Sequence, residues 1–174
     1  MVNKAVFLDR DGIVNRALII NKKPYPPLSV SDTFPIKEIS ELIKSWHDKG
    51  YLVIVITNQP DVANHLVEKS EVDKINRYLK SLVGFDDIFV CYHSEKDNCD
   101  CRKPKVGLFK QAKEKYNIAF SKSWMIGDRK KDIDAGKKIG CQTIFVDYDY
   151  DEKKPKNFDY TVESVKEIFE IKEF

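Results

Sequence analysis

Ala5-Val6-Phe7-Leu8-Asp9-Arg10-Asp11-Gly12 is an apolar run that stops abruptly at two carboxylates and a glycine. Consecutive apolar residues suit a strand buried on both faces, because a strand with one wet face alternates. Acids at the end of such a strand call for a cation or a hydrogen-bonding partner, since a charge leaves water at high cost. Gly12 lets the chain turn sharply after them.

Outward from this run, Leu52 to Ile56, Ile88 to Val90, Trp124 to Ile126 and Thr143 to Val146 have the same character, which makes five expected strands. Helical spacing lies between them. Pro35 can open a helix with Ile36, Ile39, Leu42, Ile43 and Trp46 on one face, and Gly50 can end it. Val72, Ile75, Leu79 and Leu82 repeat at the helical period, as do Phe109, Ala112 and Tyr116, and a last helix would bury Val162, Val165, Ile168 and Phe169. Alternation of this kind predicts an α/β fold, a three-layer Rossmann-like sandwich around a mostly parallel five-stranded sheet, in one domain over residues 1–174. Asn15 to Thr33, with Pro24, Pro26 and Pro27, is too long for a routine connection, and loops of that length are usually functional or disordered. The charged segment Asp147 to Lys156 reads as a solvated surface connection.

In such a sheet, ligands bind outside the carboxyl ends of the strands. The first strand delivers Asp9 and Asp11 there, the second Thr57-Asn58-Gln59, the third Arg102-Lys103 by way of a loop, and the fourth Gly127-Asp128-Arg129 with Asp132 following. Acids, donors and cations thus converge on one rim.

The loop holding Arg102 and Lys103 has its own signature. Cys91-Tyr-His93 and Cys99-Asp-Cys101 are two one-residue-spaced ligand pairs, each able to clasp one edge of a tetrahedron. That predicts a structural Zn²⁺ site, closed because protein fills all four positions, which would hold the following cations in place. Cys141, beside an apolar run, reads as a small core residue.

Acids and bases are mixed along the chain and the formal net charge is +2, so no general attraction to nucleic acid is expected. The apolar run after Met1-Val2-Asn3-Lys4 is shorter than a signal-peptide core of roughly 7–15 residues. No run approaches the roughly 20 apolar residues that cross a bilayer. A reducing cytoplasm suits thiols that bind metal, and a cytoplasmic monomer without a membrane or nucleic-acid partner is expected.

The four strand-end motifs in their order resemble the haloacid dehalogenase superfamily of phosphohydrolases, from Val6 to about Val146. The resemblance implies that Asp9 is a nucleophile forming an aspartyl phosphate, and that Asp11 protonates the leaving oxygen and later takes a proton from water. It implies Mg²⁺ on Asp9, the Asp11 carbonyl and Asp128, with Thr57 and Lys103 holding the phosphoryl group. Asn58, Arg102 and Arg129 are left for substrate, and Asp132 for orienting Lys103 or the metal shell.

Within the superfamily, the Cys-x-His, Cys-x-Cys-Arg-Lys-Pro loop resembles a small capless subfamily. It contains the D-glycero-D-manno-heptose 1,7-bisphosphate phosphatases of carbohydrate metabolism and the histidinol-phosphate phosphatases. Asn21-Lys22-Lys23-Pro24-Tyr25-Pro26-Pro27 looks like the heptose branch and the short loop between His93 and Cys99 like the other; a small phosphorylated metabolite, foremost the heptose bisphosphate, is expected. Pro60-Asp61-Val62-Ala63-Asn64-His65 departs from the Ser-Gly and later Arg-Gly usual in heptose enzymes, which puts that loop's substrate contacts in doubt. A zinc-stabilised interaction module would be expected to have lost some of Asp9, Asp11, Lys103 and Asp128, and an enzyme trimming nucleic-acid ends would carry an aromatic and basic stripe absent here.

Overall fold

A computed structural model describes residues 2–173; Met1 and Phe174, the ends of the expected unit, lie outside them. Strands β1 (Lys4–Leu8), β4 (Tyr51–Asn58), β5 (Asp87–Cys91), β6 (Trp124–Gly127), β7 (Gln142–Val146) and β8 (Tyr160–Val162) form a six-stranded sheet in the order β5-β4-β1-β6-β7-β8. Every pairing in it is parallel. The five expected strands are present, and β8 is a sixth where helix was expected. Its neighbour Asp159 explains why: the carboxylate accepts from the Thr143 N–H and hydroxyl at 2.7 and 2.9 Å and fastens this stretch beside β7. Only Val165–Glu170 coils, as a 3₁₀ helix that buries Val165 and Ile168 and leaves Phe169 exposed.

Two apolar layers flank the sheet. Val6 and Leu8 of β1 face helices α1 (Ile39–Asp48) and α2 (Lys69–Val83), which contribute Leu42, Ile43, Trp46, Ile75 and Leu79. Ala5 and Phe7 point the other way, toward α3 (Gly107–Tyr116) and α4 (Lys130–Lys138). Phe7 meets Phe109 edge to face with centroids 5.1 Å apart. Truncating so buried an aromatic ring would cost about 3–5 kcal/mol, from lost transfer energy and the cavity left behind.

Three helices differ from the sequence reading. The first helix starts at Ile39 rather than Pro35, because Pro35 bridges to Asn15 and the Ile36 N–H is given to the Val14 carbonyl at 3.0 Å. In α2 the apolar face ends on Val83, and Leu82 is exposed. Helix α4 was not anticipated, since Lys130-Lys131-Asp132-Ile133-Asp134-Ala135-Gly136 has almost no apolar stripe. Its Gly136 packs directly on the sheet, where an added Cβ would lie 2.6 Å from Met125.

The long segment after β1 is ordered. Strands β2 (Leu18–Ile20) and β3 (Lys23–Tyr25) make an antiparallel hairpin whose two turn residues, Asn21 and Lys22, both have left-handed φ of 50° and 58°. Such turns match the twist of the paired strands. From β1 the chain builds outward through β4 and β5, then returns to β6 on the other side. The switch therefore falls between β1 and β6, where doubly wound sheets open a crevice at their carboxyl ends.

Candidate active site

The end of β1 is held against β6 by the Asp9 N–H, which donates to the Ile126 carbonyl at 3.0 Å. This brings Asp9 beside Asp128, two residues beyond the matching end of β6. Ligand oxygens of Asp9, Asp128 and Asp132 lie within 4.8 Å of one another, all on buried residues. Gly12 makes the approach possible: at φ +97°, a Cβ there would lie 1.9 Å from Asp128 Oδ2.

Lys103 reaches into this cluster from the loop before α3. Its Nζ lies 2.8 Å from Asp9 Oδ1 and 2.7 Å from Asp132 Oδ1, and it also donates to the Ile56 carbonyl. Burial acts against the charge of Asp9, but Lys103 and then Lys131 outweigh it and hold its carboxyl below the usual carboxylate range. Lys103 itself is disfavoured by burial and kept charged by Asp132 and Asp9, which raise it.

Asp128 has no such support. Burial, then the charges of Asp9 and Asp132, push its carboxyl well above the usual range. Tyr150 donates to Oδ2 at 2.9 Å, while Oδ1 is buried without a hydrogen-bond partner. Asp132 differs, since Oδ1 meets Lys103 and Oδ2 accepts the Arg129 N–H at 3.1 Å. An orphaned carboxylate oxygen beside Asp9, in an all-oxygen setting, fits a hard divalent cation such as Mg²⁺.

The other expected residues divide between cleft and scaffold. Asp9, Asp11, Thr57, Asn58, Arg102 and Arg129 all border one cleft of about 270 Å³. Asn58 nevertheless has both ends of its amide committed to Lys103, accepting its N–H at 3.0 Å and donating to its carbonyl at 3.1 Å. The Asp11 carboxylate accepts from Arg10, from Asn15 at 3.0 Å and from Gln59 at 2.9 Å. Thr57 Oγ1 accepts the same Gln59 amide at 2.9 Å. Arg129 is paired in a fork with Glu152, Nε to Oε2 at 2.8 Å and Nη2 to Oε1. Arg102 makes one long contact, 3.4 Å to the His93 carbonyl.

Several participants were missed from sequence. Arg10, wholly buried, joins Asp11 to Asn76 of α2 at 2.9 Å. Lys131 and Lys23 border the cleft. The segment Asp147 to Lys156, read as a solvated connection, is a wall of the site instead. Tyr148 donates to the Gly12 carbonyl at 2.9 Å, Tyr150 holds Asp128, and Glu152 holds Arg129. The signal available was the pair of tyrosines in an otherwise charged run, too large and apolar for pure solvent exposure.

Cys91, His93, Cys99 and Cys101 come together as the spacing suggests. Sulfur and imidazole Nδ1 atoms are 3.0 to 3.7 Å apart along the contacts among them. Ligands placed tetrahedrally about Zn²⁺ at roughly 2.3 Å would stand roughly 3.8 Å apart, so three sulfurs and one nitrogen fit that ion with slight expansion. The intervening residues form a short 3₁₀ turn, Glu95–Asp97, in which Asp97 accepts the Ser94 N–H at 2.7 Å. Cys141 is buried in the second core layer. Among the described residues, no helix is long and apolar enough to cross a membrane.

Residues 100–168 match the HAD-hydrolase-like family model. The chain is 38% identical over 141 residues to the D-glycero-beta-D-manno-heptose-1,7-bisphosphate 7-phosphatase of Helicobacter pylori, covering 77% of this chain and 78% of that protein. It is 32% identical over 173 residues to the D-glycero-alpha-D-manno-heptose-1,7-bisphosphate 7-phosphatase of Campylobacter jejuni, covering 97% and 95%. A D,D-heptose 1,7-bisphosphate phosphatase from B. bronchiseptica, solved with magnesium and phosphate, shares the fold at a TM-score of 0.78 and 24% identity, covering 96% of both chains.

Proposed function

The chain belongs to the HAD-like hydrolases and is a phosphatase, and from that premise we propose that it removes the 7-phosphate of D-glycero-D-manno-heptose 1,7-bisphosphate. The observation that carries the chemistry is the buried group of Asp9, Lys103, Asp132 and Asp128, of which Asp9 borders a cation-lined cleft. The substrate reading is supported by relatives of both anomeric names at 30% identity or more. Those names favour the heptose over histidinol phosphate, despite the short metal loop.

An Asp9 oxygen attacks phosphorus, forming the P–O bond of an aspartyl phosphate as the bond to the sugar oxygen breaks. Asp11 gives its proton to that departing oxygen. It then takes one from the water that attacks phosphorus, and the bond to Asp9 breaks to release phosphate. Lys103 and Thr57 hold the equatorial oxygens of the moving group, where charge gathers. Asn58 acts at one remove, because its amide fixes the main chain of Lys103. Mg²⁺ would be held by Asp9, Asp128 and the Asp11 carbonyl, and when bound supplies positive charge that lets an anionic nucleophile meet a dianionic ester. Zn²⁺ on Cys91, His93, Cys99 and Cys101 would be structural, since no ligand position is left for substrate.

Phosphate release from the heptose bisphosphate, from histidinol phosphate and from p-nitrophenyl phosphate, with and without Mg²⁺, tests this reading. The highest kcat/KM should belong to the heptose bisphosphate. A higher value for histidinol phosphate would overturn the substrate assignment. Arg102→Ala should lower the ratio of kcat/KM for the bisphosphate to that for p-nitrophenyl phosphate, chiefly through KM, as loss of uniform binding does.

A further inference from the structure

A cleft that admits a phosphate ester calls for cations and hydrogen-bond donors, yet four acids border this one, Asp9, Asp11, Asp61 and Glu152. The protein answers three of them. Asp9 meets Lys103, Asp11 accepts from Arg10, Asn15 and Gln59, and Glu152 fills the fork of Arg129. Asp61 is half-buried, and among the described residues no ion pair or side-chain hydrogen bond reaches its carboxylate. It has no part in the phosphoryl transfer derived above. An anion thus stands in an anion-binding cleft without a partner.

Its main chain is fixed. After β4 ends at Asn58 the chain closes on itself: the Asn64 N–H donates to the Pro60 carbonyl at 3.0 Å, the His65 N–H to the Val62 carbonyl at 3.1 Å, and the Leu66 N–H to the Asp61 carbonyl at 2.9 Å. His65 completes the turn with a left-handed φ of 57°, and Pro60 has its own φ locked by its ring. The side chain of Asp61 is therefore presented to the cleft from a braced position. It also lies in the stretch that departs from the heptose pattern, so no contact is carried over to it from the resemblance.

We propose that Asp61 is a specificity residue of this cleft, its two carboxylate oxygens accepting hydrogen bonds from neighbouring hydroxyls of the sugar whose phosphate meets Asp9. An ionised carboxylate only accepts, so it needs a ligand that brings donors, and adjacent hydroxyls of a polyol bring two. Bonds of this kind are charge-assisted and stronger than neutral ones. Toward an ester without hydroxyls the same charge only repels the incoming dianion. One residue then favours sugar phosphates and disfavours plain esters, as a site built to bond a hydroxyl rejects the analogue that lacks it. The inference rests on the reading of the substrate as a sugar phosphate.

The test measures kcat/KM of the full chain, of Asp61→Ala and of Asp61→Asn for the heptose bisphosphate, histidinol phosphate and p-nitrophenyl phosphate. In Asp61→Ala the ratio of the heptose bisphosphate to p-nitrophenyl phosphate should fall about tenfold, the size of one hydrogen bond to a charged group. The fall should come through KM for the sugar. Hydrolysis of p-nitrophenyl phosphate should be at least as fast as by the parent, which also shows that the variant is folded. Asp61→Asn keeps one acceptor without the charge and should lie between. An unchanged ratio in Asp61→Ala, or an equal loss on both esters, overturns the assignment while leaving the substrate reading standing. A larger loss on histidinol phosphate than on the heptose bisphosphate also overturns it, because the acid would then be meeting an ammonium group rather than hydroxyls. If the parent does not prefer the heptose bisphosphate to the other two esters, the substrate reading itself fails, a result the parent gives without any variant.

Discussion

Replacing Asp128 by Asn should abolish turnover and yet make the metal-free protein more stable. Asp128 Oδ1 is buried without a partner, and the carboxylate faces the like charge of Asp9. An unsatisfied buried polar group costs about 1–3 kcal/mol, and an amide can donate toward Asp9 without first taking up a proton, as the carboxyl must. For a domain of this size each kcal/mol moves Tm by about 2–4 °C, so the Asp128→Asn protein in EDTA should melt about 2–12 °C above the parent. Mg²⁺ works against that order. At a hundred times its Kd a ligand adds about 2.7 kcal/mol to the protein that binds it, so the parent gains and the variant does not. Thermal unfolding followed by circular dichroism, in EDTA and across a Mg²⁺ series, reads both effects. A variant that melts below the parent in EDTA, or gains equally from Mg²⁺, would refute the view that this oxygen awaits a cation.

Asp9→Asn should stop turnover and phosphoenzyme formation, whereas Asp11→Asn should spare p-nitrophenyl phosphate, a good leaving group, more than a sugar phosphate; equal losses on both esters would mean the roles are wrongly divided. Cys99→Ser should lower zinc content, measured by elemental analysis, together with stability, since binding metal is partly folding free energy, and full stability with no zinc in the parent would remove the metal from the account. Asp159 gives a pH dependence. Burial opposes its charge, but Lys137 and Thr143 hold its carboxyl below the usual range. A depressed folded value means its stabilisation is complete above the unfolded value of about 3.9 and is lost as pH falls through the folded one. Urea midpoints for Asp159→Asn should therefore lie below the parent's at pH 7 and draw toward it as pH falls below about 3.9; parallel curves would exclude the linkage.

What could be read from sequence followed the strength of local signals. The runs 5–8, 52–56, 88–90, 124–126 and 143–146 are continuous enough to be strands wherever they occur, and a strand that ends in acids announces its end as chemistry. Helix α4 and β8 lacked such signals. One has charges at six of its nine positions, and the other is three residues long and depends on Asp159 for its place. The cluster of Cys91, His93, Cys99 and Cys101 was legible because its members are local, within eleven residues. Tyr150, Glu152, Arg10 and Asn76 were not. Their partners lie 22, 23 or 66 positions away, and only the folded sheet brings those separations to contact.

The central place of β1 also bears on when this enzyme can first exist. The strand is made before both of its neighbours, which begin at Tyr51 and Trp124. Until the second arrives, one side of β1 has no partner, and such a bare edge invites pairing with other chains. Asp9 spends that time without Asp128. A nascent or truncated chain that ends before β6 is thus inert as a phosphatase and exposed to aggregation for the same reason, and activity should appear only once the chain has passed Glu152, the last residue of the site's wall, rather than grow with length.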